Sequence, residues 1–205
     1  AEYLLRKPLG KSSEGVLSSV TLLALLQAGC KTQADVAALK PEAVEALPGA
    51  APREVTQYLA VLLRGSLGRG STGILCDATV ASLARAGCRT KRHVDRLSAR
   101  QIGRLPAQAP HEMAEYRLRE PLGQSSQGVL GSKTLLVLLQ AGCKAQAEVV
   151  ALKPEAIEAF PSAASREVTQ YLAVLLRESI GPDLFKQRLY EWDGQKHGKG
   201  TTVMR

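Results

Sequence analysis

The sequence predicts an all-α fold, and three observations support this prediction. Hydrophobic residues make up 45% of the chain but aromatic residues only 4%, which favours helices with small-residue packing over sandwiches or barrels. Apolar residues recur at helical spacings, and no convincing strand pattern is present. One helical segment also occurs three times along the chain. We therefore expect a tandem array of three similar helical units followed by a C-terminal extension.

The repeated segment is clearest at residues 22–48, which read LLALLQAGCKTQADVAALKPEAVEALP. It returns at 135–161 as LLVLLQAGCKAQAEVVALKPEAIEAFP, and a diverged copy at 80–106 reads VASLARAGCRTKRHVDRLSARQIGRLP. Residues 1–68 align without a gap on residues 114–181, and 52 of these 68 positions are identical. This identity indicates a recent duplication. The predicted boundaries are 1–68 for the first copy, 69–113 for the middle copy, 114–181 for the third copy and 182–205 for a basic, aromatic tail.

Four helices are predicted within the first copy. Ser19 is a candidate N-cap for the first helix, and Gly29 is suited to end it because glycine readily adopts a positive φ. Thr32 and Asp35 form a candidate capping box at the start of the second helix. Pro41 suits the first turn of the third helix, and a longer, Tyr-led helix then closes the copy.

This order of short helix, glycine turn, short helix and second turn resembles the helix-hairpin-helix family. The segment LSSVTLLALLQAGCKTQADVAAL is also similar to the opening of the C-terminal domain of the bacterial RNA polymerase α subunit. In the family, a Gly-apolar-Gly sequence in the second hairpin holds a phosphate with backbone N–H groups. The matching positions here read PGAA, PAQA and PSAA. The second glycine is missing in every copy, and the first remains only as Gly49.

Positive charge is concentrated in the middle copy. The chain carries a net charge of +8, and residues 69–113 contribute eight basic and three acidic side chains, whereas the two outer copies are near neutral. Four arginines of the middle copy recur every four residues, at positions where the outer copies have alanine or glutamate. Because guanidinium groups bind phosphates in a forked geometry, this pattern favours contact with a nucleic acid.

The candidate nucleic-acid-binding residues are basic side chains of the middle copy and of the tail. They are Arg85, Arg89, Lys91, Arg92, Arg96, Arg100, Arg104, Lys196 and Lys199. Two alternatives are a solvated charged face and a surface that docks onto an acidic protein.

No motif for catalysis or metal binding is recognised. The three histidines are scattered, and cysteines at the same place in separate copies cannot all meet at one metal ion. We expect no enzymatic activity, no cofactor and no metal, and we interpret the cysteines as small, buried, reduced residues. No apolar run reaches 18 residues, so we expect no membrane span.

The sequence therefore predicts a non-enzymatic nucleic-acid-binding protein. Its expected partner is structured RNA, such as ribosomal RNA in a ribonucleoprotein, while the outer copies contact neighbouring proteins of the assembly. The alternatives are a helix-hairpin-helix DNA-binding protein and a scaffold for protein interactions. The basic tail, the missing initial Met and the lack of catalytic chemistry favour an intracellular and organellar ribosome, with the mitochondrion as the expected location.

Overall fold

A computed structural model describes residues 2–180 of the chain. Every regular element in this range is a helix, so the expected all-α class is confirmed. The chain divides between Leu118 and Arg119 into two compact units. The copy boundaries expected from the sequence stay predictions, and the tail at 182–205 lies outside the described residues.

The first unit begins with the helices of the first sequence copy. Helix α1 spans Glu2–Leu9 and is followed by a 3₁₀ turn at Lys11–Ser13. The next helices are α2 (Ser19–Gln27), α3 (Gln33–Ala38), α4 (Pro41–Glu45) and α5 (Ala51–Leu67). The four helices expected in this copy, α2 to α5, are therefore all present.

The middle copy, together with the first residues of the predicted third copy, completes the first unit with the same order of elements. A 3₁₀ turn at Arg69–Ser71 leads into α6 (Asp77–Arg85), α7 (Lys91–Asp95), α8 (Ala99–Ile102) and α9 (Ala109–Leu118). Helix α6 packs along α5, so the two sequence copies are joined within this unit chiefly through these two helices.

The second unit contains the helices of the third copy that follow Leu118. A 3₁₀ turn at Gln124–Ser126 precedes α10 (Ser132–Gln140), α11 (Gln146–Val150), α12 (Pro154–Glu158) and α13 (Ser162–Ile180). Helix α13 packs on α10 and α12. We call α2, α6 and α10 the opening helices, and α5, α9 and α13 the closing helices.

Local hydrogen bonds determine where the helices begin. The Ser18 hydroxyl accepts a hydrogen bond from Thr21 N at 3.3 Å, so the N-cap of α2 lies one residue before the expected Ser19. The expected capping box at α3 is confirmed. The Thr32 hydroxyl accepts from Asp35 N at 3.2 Å, and the Asp35 carboxylate accepts from Thr32 N at 2.8 Å.

The two turns of each copy differ in which residue types adopt a positive φ. At the first turn, Gly29, Gly87 and Gly142 have φ values of 83°, 88° and 90°, which confirms the expected role of Gly29. At the second turn, Gly49 has φ 61°, and Ala107 at the matching position of the middle copy has φ 52°. Ala107 is the only non-glycine residue with a positive φ in the described range. A side chain in this region costs about 1–2 kcal/mol.

A glutamate near the start of each closing helix caps the N-terminus of the opening helix of the same copy. The contacts are Glu54 with Ser18 N at 2.7 Å, Glu112 with Cys76 N at 2.8 Å and Glu167 with Gly131 N at 2.7 Å. The hydrogen bond from Ser18 N is the main cause that holds the pKa of Glu54 below its ordinary value. Each copy is therefore closed by a charge-assisted hydrogen bond between its first and last helices.

A buried tyrosine forms a second closing contact in the outer copies. The Tyr58 hydroxyl donates to Leu9 O at 2.7 Å, and the Tyr171 hydroxyl donates to Leu122 O at 2.6 Å. Both tyrosine side chains are fully buried. Burial raises the pKa of Tyr58 to about 12, so its neutral form is the one compatible with the fold.

We expect Tyr58→Phe to lower the free energy of unfolding by about 1–2 kcal/mol, because a buried carbonyl loses its hydrogen bond. The folded pKa of about 12 lies above the unfolded value of about 10. The contribution of the neutral phenol is therefore complete below pH 10 and is lost as the pH rises towards 12. Urea unfolding at pH 7 and at about pH 10.5 measures both effects. The matched control is Tyr116→Phe at a half-buried tyrosine, and equal losses in the two variants would contradict the assignment.

We expect Ala107→Gly to raise the free energy of unfolding by about 0.5–1 kcal/mol. Glycine removes the steric cost of the positive φ. However, glycine has more conformational freedom than alanine in the unfolded chain, which offsets part of that gain. Thermal unfolding compares this variant with Ala109→Gly, where the alanine is buried and lies in α9. The second variant should be less stable than the wild type. A destabilised Ala107→Gly would show that the turn holds no such strain.

Candidate nucleic-acid interface

Four exposed arginines lie on and beside the two short helices of the middle copy. Arg92 lies within α7 and Arg96 is its C-cap, while Arg100 lies within α8 and Arg104 lies two residues beyond it. All four side chains are exposed. Within residues 2–180 none of them makes a side-chain hydrogen bond or an ion pair. We call this group the arginine face.

The arginine face is supported by buried residues and by helix caps. Val94 on α7 and Ile102 on α8 are fully buried, so each helix presents its opposite side to solvent. The N-cap of α8 is Ser98, whose hydroxyl accepts from Gln101 N at 3.2 Å, while the Gln101 side chain accepts from Ser98 N at 2.9 Å. This capping box starts α8, whereas α7 ends at Asp95 with Arg96 as its C-cap. The interval of four residues therefore corresponds to two pairs of arginines on successive short segments, and a single continuous helix does not carry them.

The only acidic residue of α7, Asp95, forms an ion pair with Lys91. Lys91 Nζ lies 2.8 Å from Asp95 Oδ2, and this hydrogen bond is the main cause that raises the pKa of Lys91 above its ordinary value. The same ammonium lies 5.8 Å from the centroid of the Tyr116 ring. Lys91 is about half exposed and remains accessible, but much of its charge is balanced within α7. The net positive charge of this region therefore comes chiefly from the arginines.

Arg89 has an internal position, although the sequence marked it as a ligand contact. Its guanidinium donates to Ala37 O at 3.1 Å and to Leu39 O at 3.0 Å, at the carbonyl end of α3. It also donates to Cys88 O at 3.2 Å and to Ala84 O. Burial lowers the pKa of this half-buried side chain. Because its N–H groups are directed at backbone carbonyls, Arg89 joins the middle copy to the first copy instead of facing a ligand.

Arg117 has the same kind of role and was missed by the sequence analysis. Its guanidinium donates to Leu97 O at 2.7 Å and to Val94 O, at the carbonyl end of α7. Burial lowers its pKa as well. The available signal was the residue that follows the tyrosine of each closing helix. This residue is leucine at positions 59 and 172 but arginine at position 117. Arg117 thus fixes α7, and with it half of the arginine face, onto α9.

The remaining candidates are not part of the arginine face. Arg85 is exposed at the end of α6, where it lines a groove between α5 and α6. Lys196 and Lys199 lie outside the described residues, so their assignment stays a prediction.

The described residues contain no arrangement typical of a metal site or a membrane span. No three His, Cys, Asp or Glu side chains in this part of the chain are grouped as metal ligands would be. None of its helices is both long and apolar enough to cross a membrane. All four cysteines are free thiols, and burial raises the pKa of Cys30, Cys88 and Cys143.

The roles of Arg89 and Arg92 can be separated by matched substitutions. We expect Arg89→Met to lower the free energy of unfolding by about 2–3 kcal/mol, because several partly buried carbonyls lose their donors. Arg92→Met should change it by less than about 0.5 kcal/mol, since the exposed side chain has no internal partner. Urea unfolding measures both. If Arg89→Met kept full stability, its guanidinium would be free for a ligand and the internal role would be wrong.

Comparison of the chain with protein-family models, curated proteins and solved structures finds no match. A proposal for its function therefore rests on the residues and contacts described above.

Proposed function

We propose that this chain is a non-enzymatic nucleic-acid-binding protein and that the arginine face of α7 and α8 binds phosphate groups. The observation that carries the proposal is the set of exposed arginines at positions 92, 96, 100 and 104, which have no internal partner in the described residues. The matching positions in the outer copies are alanine or glutamate. The face is therefore a property of the middle copy and is not required by the repeat.

Guanidinium chemistry supports phosphate as the ligand. A guanidinium offers planar, paired donors that match two phosphate oxygens, and it keeps its charge at every physiological pH. The two pairs of arginines on successive short segments provide several contacts along a backbone of repeated phosphates. Two further arginines, Arg89 and Arg117, hold the carbonyl ends of α3 and α7, which limits movement of the face before a ligand binds.

The low aromatic content favours a folded nucleic acid over an extended single strand. Proteins that bind single strands usually stack bases on exposed aromatic side chains. In the described residues Tyr58 and Tyr171 are fully buried, and Tyr116 is only partly accessible beside Lys91. We therefore propose structured RNA of a ribonucleoprotein as the partner, with duplex DNA as the alternative. The ribosomal and mitochondrial settings stay predictions from the sequence.

The finer description of the fold, three helix-hairpin-helix-like units in tandem, is part of this proposal. Each copy has an opening helix, a glycine turn with positive φ, two short helices and a closing helix. At the second turn, positive φ is found at Gly49 and Ala107, whereas Ser162 at the matching place begins α13. The second turn thus differs among the copies, and the proposed phosphate contacts depend on arginine side chains instead of this turn.

A scaffold for protein interactions is the second candidate function. Exposed apolar side chains on α1 and α2 favour it: Leu4 is 64% exposed, Val20 71% and Leu23 50%. A partner held on such side chains would bind with little dependence on salt concentration, since apolar burial is not screened.

We expect Arg92→Ala/Arg96→Ala/Arg100→Ala to weaken binding to a structured RNA by at least about tenfold. The slope of log affinity against log salt concentration should also become less steep by about 2–3, because up to three phosphate contacts are lost. Filter binding at two or more salt concentrations measures both quantities, with duplex DNA tested in parallel.

The matched control is Lys133→Ala/Lys144→Ala/Lys153→Ala, which removes three exposed basic side chains from the second unit. It changes the net charge by the same amount, so its affinity should change much less if the arginine face is the contact surface. Equal losses in the two triple variants would show that only total charge matters. Absence of binding by the wild type at low salt would overturn the nucleic-acid proposal.

A further inference from the structure

A groove of about 710 Å³ runs between α5 and α6 in the first unit. One wall is formed by α5 and the other by α6, the two helices that join the first and middle sequence copies. The residues that give the groove its apolar floor and basic rim are Arg53, Ala60, Val61, Val80, Ala81 and Arg85. None of the arginine-face residues lines it, so the groove is a separate surface.

Small and apolar side chains form the floor of the groove. Ala60 and Val61 line it from α5, and Ala81 lines it from α6. Val61 is 42% exposed, although a valine at a helix junction is more usually covered. The lining residues of α5 at 57, 60, 61 and 64 follow helical spacing, so this wall is one continuous helix face. Such a trough between two packed helices has the shape into which the side-chain ridge of a third helix fits.

The rim of the groove has an excess of positive charge. Arg53 and Arg85 are exposed, and neither has a hydrogen-bonding or ionic partner in the described residues. Arg64 differs from them, because it donates to Leu75 O and to Asp77 Oδ1, both at 2.7 Å. The charge of Asp77 is therefore balanced by Arg64. Glu45 is the only other acidic residue along the lining. A ligand with apolar and acidic groups would complement this surface.

We propose that this groove binds an amphipathic helix of a partner protein, with acidic side chains flanking its apolar face. The apolar face of that helix packs on Val61 and Ala81, and its carboxylates pair with Arg53 and Arg85. Binding of a helix in a groove through residues at i, i+3, i+4 and i+7 is a common mode of peptide recognition. The proposal adds a second ligand to the nucleic acid and does not depend on it.

The chain contains a natural control for this site. Helix α13 repeats six of the seven α5 residues that line the groove, and only Pro52 is replaced, by Ser165. The six are Arg166, Thr169, Gln170, Ala173, Val174 and Arg177, which stand where α5 has Arg53, Thr56, Gln57, Ala60, Val61 and Arg64. The opposite wall with Val80, Ala81 and Arg85 belongs to α6 of the first unit. Substitutions on α13 therefore change the same residue types outside the groove.

The test uses two fluorescent model peptides of about 18 residues, or roughly five helical turns. Both carry leucine at i, i+3, i+4 and i+7, but one has glutamate at the flanking positions and the other has lysine. Fluorescence anisotropy measures their binding to the full chain at low and at physiological salt. We expect the acidic peptide to bind at least about tenfold more tightly than the basic one, a difference of about 1.4 kcal/mol.

Four variants, two in the groove and two on α13, locate the binding site. Arg53→Glu/Arg85→Glu should weaken binding of the acidic peptide by about tenfold or more, whereas Arg166→Glu/Arg177→Glu should change it by less than about twofold despite the same change in net charge. Val61→Glu and its counterpart Val174→Glu test the apolar floor in the same way. Circular dichroism of each variant checks that the helices are retained.

Four results would overturn the proposal. The first is equal binding of the acidic and basic peptides, and the second is an equal effect of the α5–α6 and α13 variants. The third is the absence of acidic-peptide binding up to about 1 mM, which corresponds to only about 4 kcal/mol of binding free energy. If Arg53→Glu/Arg85→Glu instead removes binding of duplex RNA, the groove belongs to the nucleic-acid surface. The Arg92→Ala/Arg96→Ala/Arg100→Ala variant should bind the peptide normally, which separates this proposal from the first.

Discussion

The hydrogen bond between a closing-helix glutamate and the backbone of an opening helix is the contact on which each copy depends. It recurs at Glu54, Glu112 and Glu167 with distances of 2.7–2.8 Å. It satisfies an N–H group at a helix start and places a negative charge where the helix dipole favours it. The two short helices between these ends have only four to six residues each, too few to be stable alone. They are ordered because the longer helices on either side are held together.

Arginine has two distinct uses in the middle copy and the closing helix α9, and burial separates them. Arg89 and Arg117 are half-buried and donate to carbonyl groups at the ends of α3 and α7. The residues of the arginine face are exposed and have no internal partner in the described range. The first kind supports the second, because a surface that is already ordered loses less conformational entropy when it binds a ligand. The first unit thus contains both a basic face and the bonds that hold it in place.

Local chemistry explains why much of the fold could be predicted from the sequence. The capping box of Thr32 and Asp35 and the turn at Gly29 depend on residues that are close together in the chain. The internal role of Arg89 could not be predicted, because its acceptors Ala37 and Leu39 are about fifty residues away in the chain. The residue type does not distinguish an internal arginine from an exposed one. The contact of Glu54 with Ser18 N could not be predicted for the same reason, because the two residues are 36 positions apart. The Ser98 cap divides the arginines between α7 and α8. This cap involves neighbouring residues and was predictable from the sequence, but the regular spacing of four residues made the break between the helices less apparent.

The closing contacts leave the residues of the arginine face with no part in holding the chain together. Glu112, Arg117 and the Ser98 cap act through backbone groups, so they tolerate many different side chains on the solvent face. Gene duplication then has a simple consequence. One copy can accumulate substitutions on this face and gain a new specificity, while selection for folding acts on a separate set of residues.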